Sequence, residues 1–184
     1  MEAYKKVSYS ETTLTELMIP SYSNFGGKIH GGVILSLMDK VAYVCAAKHA
    51  DAYCVTAAIE GVDFLAPVEV GELVSLLASV NYVGKSSLVV GIKVISENIK
   101  TRLVKHTNTS YFTMVAFGDN NKTTQVPGLI LENHNQARRF HKALLRKELK
   151  TKYKREETQT VKIDTTNEYA IILKGERCMV VGEQ

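Results

Sequence analysis

A long apolar segment in the first third of the chain restricts the fold more than any other feature. It runs from His30 to about His49, long enough for a helix, and its apolar side chains point in every direction around a helical axis. A helix that is apolar nearly all round must be buried on most sides. Because the segment also contains Ser36, Asp39 and Lys40, it is too polar to span a bilayer, and we expect no membrane association. Its apolar residues are Val33, Ile34, Leu35, Leu37, Met38, Val41, Ala42, Val44 and Ala46.

Extended segments lie on both sides of this predicted helix. One of them alternates loosely and ends before Pro20, and four more follow the helix, separated by glycine, proline or polar runs. Long strands with short connections indicate an antiparallel sheet. The order of elements therefore predicts an α+β domain, in which an antiparallel sheet wraps around one long central helix. The predicted strands cover residues 7–17, 53–65, 73–83, 87–97 and 103–117.

A second, shorter part follows the predicted sheet domain. We expect that domain to cover residues 1–130 and to close near Pro127. Asn133 is placed to cap a second helix, and residues 131–184 are predicted to form this basic amphipathic helix and a small extension of unknown role. The apolar residues at helical spacing are Phe140, Leu144, Leu145, Leu149 and Tyr153, and the short extended runs lie at 161–163, 169–173 and 178–181.

The charge distribution and the cysteines limit the possible partners. Between Arg138 and Arg155 there are nine basic residues and one acid, Glu148, within a chain of net charge +4. Such a block indicates either nucleic-acid binding or the solvated face of a surface helix, and we favour the solvated face and expect no nucleic-acid partner. The three cysteines have no zinc-ligand spacing, and the first residues show no secretory signal, so we expect reduced thiols in a cytoplasmic protein.

Asp39 is the strongest candidate for a catalytic group. An ionised carboxylate in a buried helix is costly unless it is paired or functional. The alternatives are pairing with Lys40 or Lys48, or a position on an exposed strip. Lys40 is a poor partner, because adjacent residues point in different directions on a helix.

Three further candidates lie at and before the start of the helix. Gly31 and Gly32 lower helix stability, but they allow close approach to backbone N–H groups that can stabilise an oxyanion. Asn24 can orient a water molecule or bind a carbonyl oxygen, and it is equally a common turn residue. His30 is a weaker candidate for a general base than Asp39.

The sequence Gly84-Lys85-Ser86-Ser87 resembles the end of a phosphate-binding loop. The loop motif needs an earlier glycine at the position of Ser79 and a following helix, and neither is predicted here. A turn in which Lys85 reaches a phosphate group remains open. No metal-ligand cluster or dinucleotide motif is present, so we expect no metal and no cofactor.

Several ordered motifs resemble one family, the cytosolic acyl-CoA hydrolase type of hot-dog acyl-CoA thioesterases, which has single-domain bacterial forms. The resemblance covers about residues 5–130. The first motif is Asn24-Phe25-Gly26-Gly27-Lys28-Ile29-His30-Gly31-Gly32 with Leu37-Met38-Asp39, Ala42 and His49. The others are Val55-Thr56-Ala57-Ala58, Phe64-Leu65-Ala66-Pro67-Val68-Glu69-Val70-Gly71-Glu72, Val83-Gly84-Lys85-Ser86-Ser87, Phe112-Thr113-Met114-Val115-Ala116 and Val126-Pro127.

The resemblance implies an acyl-CoA thioesterase with the hot-dog fold, in which Asp39 is the base or nucleophile and Asn24 assists. It also places coenzyme A contacts at Lys85, Ser86 and Ser87, and we add His30 and Thr56 as candidate substrate-binding residues. We expect a homodimer or a trimer of dimers. Many relatives have phenylalanine at the position of His30, which leaves the substrate class open. A non-catalytic acyl-CoA-binding regulator is the alternative. A hot-dog dehydratase would need a helix histidine with an acid and a proline-rich loop, which this chain lacks.

Overall fold

The computed structural model describes residues 3–159 and 173–178. The described residues form two compact units that divide between Leu144 and Leu145, within the C-terminal helix. All the elements that form the sheet and its central helix belong to the first unit. The domain boundary predicted at residue 130 stays a prediction.

A five-stranded antiparallel sheet and one long helix make up the body of the first unit, as predicted. The elements are β2 (Thr12–Leu17), α2 (Gly31–Ala50), β3 (Tyr53–Glu60), β4 (Glu72–Val83), β5 (Ser87–Asn98) and β6 (Val104–Phe117). The strand order is β2-β4-β5-β6-β3, so that β2 and β3 are the two edges. Helix α2 packs on one face of this sheet, and the core lies between them.

Helix α2 is not buried all round, which corrects the expectation from its composition. The sheet covers the side that carries Met38, Val41 and Cys45, none of which is exposed. A strip on the opposite side is open, because one sheet in one chain covers only one face of a helix. The strip consists of Gly32, Ser36, Asp39, Lys40, Tyr43, Val44 and Lys48.

The first unit also contains small elements that the sequence did not indicate. Strand β1 (Tyr4–Lys6) pairs in parallel with β7 (Gly128–Ile130). The predicted first strand, 7–17, is wrong in its first part, where Val7–Ser10 forms one helical turn, α1. Val7 and Ser10 are both buried, and residues three apart lie on the same side of a helix but on opposite sides of a strand.

The C-terminal helix, α3 (His134–Gln159), begins at the predicted residue. Asn133 caps it, because the Asn133 side-chain oxygen accepts a hydrogen bond of 3.1 Å from the Gln136 amide. In its first turns Gln136 and Ala143 are buried. The later apolar residues Leu145, Leu149 and Tyr153 are exposed.

The extended runs predicted at 161–163, 169–173 and 178–181 lie outside the described residues, apart from the turn at 173–178. Within the described ranges, no helix has the length and hydropathy that a membrane span requires.

Candidate active site

Asp39 lies on the exposed strip of α2, at the point where the helix passes the edge strand β3. The side chain is exposed in the single chain, so the prediction of a buried carboxylate is wrong. Its Oδ1 accepts a hydrogen bond of 2.6 Å from the Thr56 hydroxyl. Among the described residues no ion pair involves Asp39, and Lys48, the other suggested partner, donates to the Glu11 carbonyl. The carboxylate therefore keeps acceptor capacity toward solvent.

Thr56, which was predicted to bind substrate, contacts Asp39 directly. It is held on β3 beside a β-bulge, between Thr56 and Ala58, where the register with β6 shifts. Its hydroxyl lies 2.6 Å from Asp39 and 3.4 Å from the Met114 sulfur. Because a carboxylate is the stronger acceptor, the hydroxyl proton points to Asp39 and fixes its orientation.

The start of α2 is formed by His30 and the two glycines. His30 is the N-cap, and its Nδ1 accepts a hydrogen bond of 2.9 Å from the Gly32 amide. The Gly32 amide is therefore occupied, contrary to the expectation that both glycine amides are open. Gly31 has no amide partner among the described residues, and a Cβ at Gly31 would lie 3.0 Å from the Phe64 ring. A side chain at this position would fit only if the Phe64 ring shifted by a few tenths of an ångström.

Asn24 shapes the loop that leads into α2. Its side-chain oxygen accepts hydrogen bonds from the Gly26 amide, at 2.9 Å, and the Lys28 amide, at 3.2 Å. Gly27 has a positive φ of 75°, which completes the tight turn. No described residue accepts a hydrogen bond from the Asn24 side-chain NH₂ group, so a group with two donors remains exposed at the surface of this loop.

The turn that contains Lys85 and Ser86 connects β4 to β5. Ser87 pairs with Val115 on β6, and Val115 pairs with Val55, the neighbour of Thr56 on β3. Adjacent strands lie about 4.8 Å apart, so Ser87 is roughly 10 Å from Val55. Lys85 is exposed in this turn.

The predicted site residues therefore fall into separate groups within one chain. Asp39 and Thr56 form one group, with the Lys85 turn roughly 10 Å away across the sheet. Gly31 and Asn24 form another, because Gly32 and Asp39 are seven residues apart on a helix and thus roughly 10 Å apart along its axis. One chain does not bring all of these groups to one small thioester.

A buried polar cluster at the start of β4 was not predicted from the sequence. Glu72 accepts hydrogen bonds from the Ser96 hydroxyl and from the Glu69 amide, and it pairs with Lys105 at 2.8 Å. Burial alone raises the pKa of Glu72, but these bonds outweigh burial and hold the pKa below its ordinary value of 4.5. Lys105 also donates to the Pro67 carbonyl, so the cluster ties down the loop that carries Phe64.

Other nucleophilic and basic side chains lie inside the core. Burial raises the pKa of Cys45 to about 12 and that of Cys54 to about 11, so both stay neutral thiols. His49 is fully buried, its pKa is lowered by burial, and its Nε2 lies 3.1 Å from the Pro127 carbonyl. None of these groups is accessible to a substrate.

The sequence model of the thioesterase superfamily matches residues 26–103. The protein VdlD of Helicobacter pylori is 47% identical over 139 residues, which cover 76% of this chain and 79% of the relative. The uncharacterized acyl-CoA thioester hydrolase YkhA of Bacillus subtilis is 34% identical, and the match covers 69% of this chain and 74% of the relative. The cytosolic acyl coenzyme A thioester hydrolase of rat is 29% identical, and the match covers 73% of this chain and 36% of the rat protein.

The solved structures that resemble this chain include enzymes of the same activity as these relatives. An acyl-CoA hydrolase of Staphylococcus aureus, in complex with butyryl coenzyme A and coenzyme A, has a TM-score of 0.78 at 30% identity and covers 85% of this chain and 96% of its own. Structures of that enzyme also exist with alanine in place of an asparagine, of an aspartate fifteen positions later, or of a threonine seventeen positions after the aspartate.

A hexameric acyl-CoA thioesterase has a TM-score of 0.79 at 31% identity, covering 88% of this chain and all of the other. Sequence and structure thus agree on fold and on activity, and they confirm the resemblance seen in the sequence. The chain belongs to the acyl-CoA thioester hydrolases of the thioesterase superfamily, enzymes with the hot-dog fold.

Proposed function

We propose that Asp39 is the catalytic base or nucleophile for the hydrolysis of acyl-CoA to a free carboxylic acid and coenzyme A. The observation that carries this proposal is the hydrogen bond of 2.6 Å by which Thr56 orients an otherwise open carboxylate. Asn24, Asp39 and Thr56 also follow one another at intervals of fifteen and seventeen residues, the same as the three replaced residues of the Staphylococcus aureus enzyme.

In the base-catalysed route, Asp39 takes a proton from a water molecule as the water oxygen attacks the thioester carbonyl carbon. The carbonyl oxygen becomes an oxyanion, which the Gly31 amide and the Asn24 side-chain NH₂ group stabilise. The intermediate collapses with cleavage of the carbon–sulfur bond, and the proton held by Asp39 passes to the leaving sulfur. The products are the acid and the coenzyme A thiol.

In the nucleophilic route, the Asp39 carboxylate attacks the carbonyl carbon and expels coenzyme A as the thiolate, which takes up the proton released when water later hydrolyses the acyl-enzyme anhydride. The resulting mixed anhydride is then hydrolysed by water. Both routes need only side chains, backbone amides and water, with coenzyme A entering as part of the substrate. We infer that Lys85, Ser86 and Ser87 bind the coenzyme A part, with Lys85 directed to a phosphate and His30 near the entrance.

Each active site takes groups from two chains in this proposal. Tyr43 and Val44 on the exposed strip are each 41% exposed, and the Tyr43 ring lies 6.2 Å from that of Tyr53 on the edge strand β3. Tyr43, Val44 and Tyr53 thus form an apolar patch beside the open edge of the sheet, and a second copy can cover this patch. Two antiparallel helices related by a twofold axis bring Asp39 of one chain to Gly31 of the other.

The relatives support both the assembly and the location that we propose. The hexameric neighbour supports a homodimer or a trimer of dimers. The name of the rat relative supports the cytoplasmic location expected from the sequence.

A thiol-release assay with acyl-CoA substrates of increasing chain length tests the proposal. The wild-type protein should release coenzyme A, and Asp39→Asn should release at least about 100-fold less. Asp119→Asn is the matched control, because Asp119 is an exposed aspartate in the turn after β6 and has no role in the proposed reaction. A wild type that binds acyl-CoA and releases no thiol would instead identify a regulator, and normal turnover in Asp39→Asn would exclude Asp39.

A further inference from the structure

A cavity lies on the face of the sheet opposite α2. Its volume is about 480 Å³, which is within the size range of small-molecule sites. Strands β4, β5 and β6 form its floor, and the first turns of α3 border it on one side. Asp39 belongs to the helix on the other face of the sheet, so this cavity is not part of the proposed catalytic site.

Polar residues lie on the floor of the cavity among apolar ones, and its shape depends on one glycine. Ser79, Gly91 and Tyr111 lie side by side on three adjacent strands. The amide of Asn81 occupies the space that Gly91 leaves open, since a Cβ at Gly91 would lie 2.1 Å from the Asn81 nitrogen. Ser79 donates a hydrogen bond of 3.1 Å to the Asn81 oxygen. The sheet surface therefore offers a depression lined with hydrogen-bonding groups.

The helix at the side of the cavity is held in place by two contacts. The Phe140 ring lies 5.3 Å from the Tyr82 ring, and Arg139 donates a hydrogen bond of 3.4 Å to the Ser79 hydroxyl. Ala143, on the same side of the helix, is buried. The basic side chains of these first turns are thus presented to the cavity from a fixed helix.

Four cationic side chains line this one cavity, namely Lys93 from β5 and Arg138, Arg139 and Lys142 from α3. Glu11 is the one carboxylate in the lining, and within the described ranges no ion pair involves any of the four cations. Like charges placed together repel one another, and an anion among them relieves the repulsion.

We propose that this cavity binds a small phosphorylated molecule through its phosphate or pyrophosphate group. Arginine forks and lysine ammonium groups are the usual partners of phosphate oxygens. The cations converge on a single depression, which suits a small molecule, whereas nucleic acid is bound by an extended basic surface. The phosphates can come from coenzyme A itself or from another phosphorylated metabolite.

Calorimetric titration of the full chain with inorganic pyrophosphate tests this site. The wild type should bind one pyrophosphate per chain at low salt, with an affinity that falls as salt is added. Replacing Arg138, Arg139 and Lys142 together with glutamine should weaken binding at least about tenfold. Lys93→Gln is the second variant, because it removes a cation from the sheet side without touching α3, and it should also weaken binding.

The matched control removes three positive charges elsewhere, in Lys100→Gln, Lys122→Gln and Lys150→Gln, and should bind pyrophosphate as the wild type does. Suppression of the pyrophosphate signal by saturating coenzyme A would identify coenzyme A as the source of the phosphates. Persistence of the signal would indicate a separate metabolite. The site is excluded if the wild type does not bind pyrophosphate, if the variants bind it unchanged, or if the basic residues bind only a single-stranded oligonucleotide.

Discussion

Glu72 and Asp39 each place a carboxylate near the sheet, and the protein surrounds them differently. Glu72 is 3% exposed, and Lys105, Ser96 and the Glu69 amide all donate to it or pair with it. Asp39 is exposed and has the Thr56 hydroxyl as its described partner. A carboxylate whose acceptor positions are filled is held as an anion that stabilises the fold. A carboxylate that is oriented by one hydroxyl keeps lone pairs with which it can take a proton.

The comparison predicts opposite outcomes for the two amide substitutions. Asp39→Asn should lower kcat at least about 100-fold, because an amide neither accepts the proton of water nor attacks a thioester. Its free energy of unfolding should change by less than about 0.5 kcal/mol, because asparagine has the same shape and its oxygen can still accept the Thr56 hydrogen bond. Steady-state kinetics and urea unfolding of the same preparation measure both quantities. A large loss of stability would show that Asp39, like Glu72, is a structural group.

Glu72→Gln should lower the free energy of unfolding by about 2 kcal/mol, because it breaks a buried pair and leaves Lys105 without its anion. The residual activity per folded molecule should stay close to that of the wild type. Urea unfolding gives the first quantity, and thiol release at a temperature where the variant is folded gives the second. Unchanged stability would contradict the structural role of this carboxylate.

Thr56→Val should lower kcat about tenfold while KM changes little, because the hydroxyl orients Asp39 and does not hold the substrate in this account. Thr56→Ser keeps the hydroxyl and should restore most of the activity. Steady-state kinetics of both variants distinguish this from substrate binding, in which KM would rise. A rise in KM with normal kcat would return Thr56 to the substrate-binding role suggested by the sequence.

The pH dependence of stability should differ between wild type and Glu72→Gln. The pKa of Glu72 is lower in the folded protein than its ordinary value of 4.5, so its contribution is present above that value and is lost as pH falls through the folded pKa. Urea unfolding between neutral pH and the acid range should show a smaller loss of stability for Glu72→Gln. Parallel curves for the two proteins would contradict the role given to Glu72.

The sequence was sufficient for the order of the main elements, because periodicity and turn residues report local structure. It did not predict the exposure of Asp39, because the composition of α2 does not show how much of the helix one sheet covers. The expected burial of Asp39, which made it the strongest candidate, is wrong. Thr56 is seventeen residues away on another element, so its contact with Asp39 depends on tertiary packing.

Glu72, by comparison, has a recognisable signal in the sequence. It lies in phase with the core-facing residues Val74 and Leu76 at the start of a strand, a position where an acid needs partners. The partners themselves, Ser96 and Lys105, come from the next two strands and become neighbours only through strand register. The distance between Gly32 and Asp39, in contrast, can be predicted from the sequence. The regular rise of a helix fixes this distance once the seven-residue spacing is known.

The shared active site is the central claim, and subunit mixing tests it most directly. Asp39→Ala and Asn24→Ala proteins, each nearly inactive alone, are unfolded together and refolded. If the site uses Asp39 of one chain and Asn24 of the other, a mixed dimer has one site with both defects and one intact site. With random pairing about half of the dimers are mixed, so about a quarter of wild-type activity should return. No recovery of activity, with subunit exchange verified by differently tagged chains, would contradict the shared site.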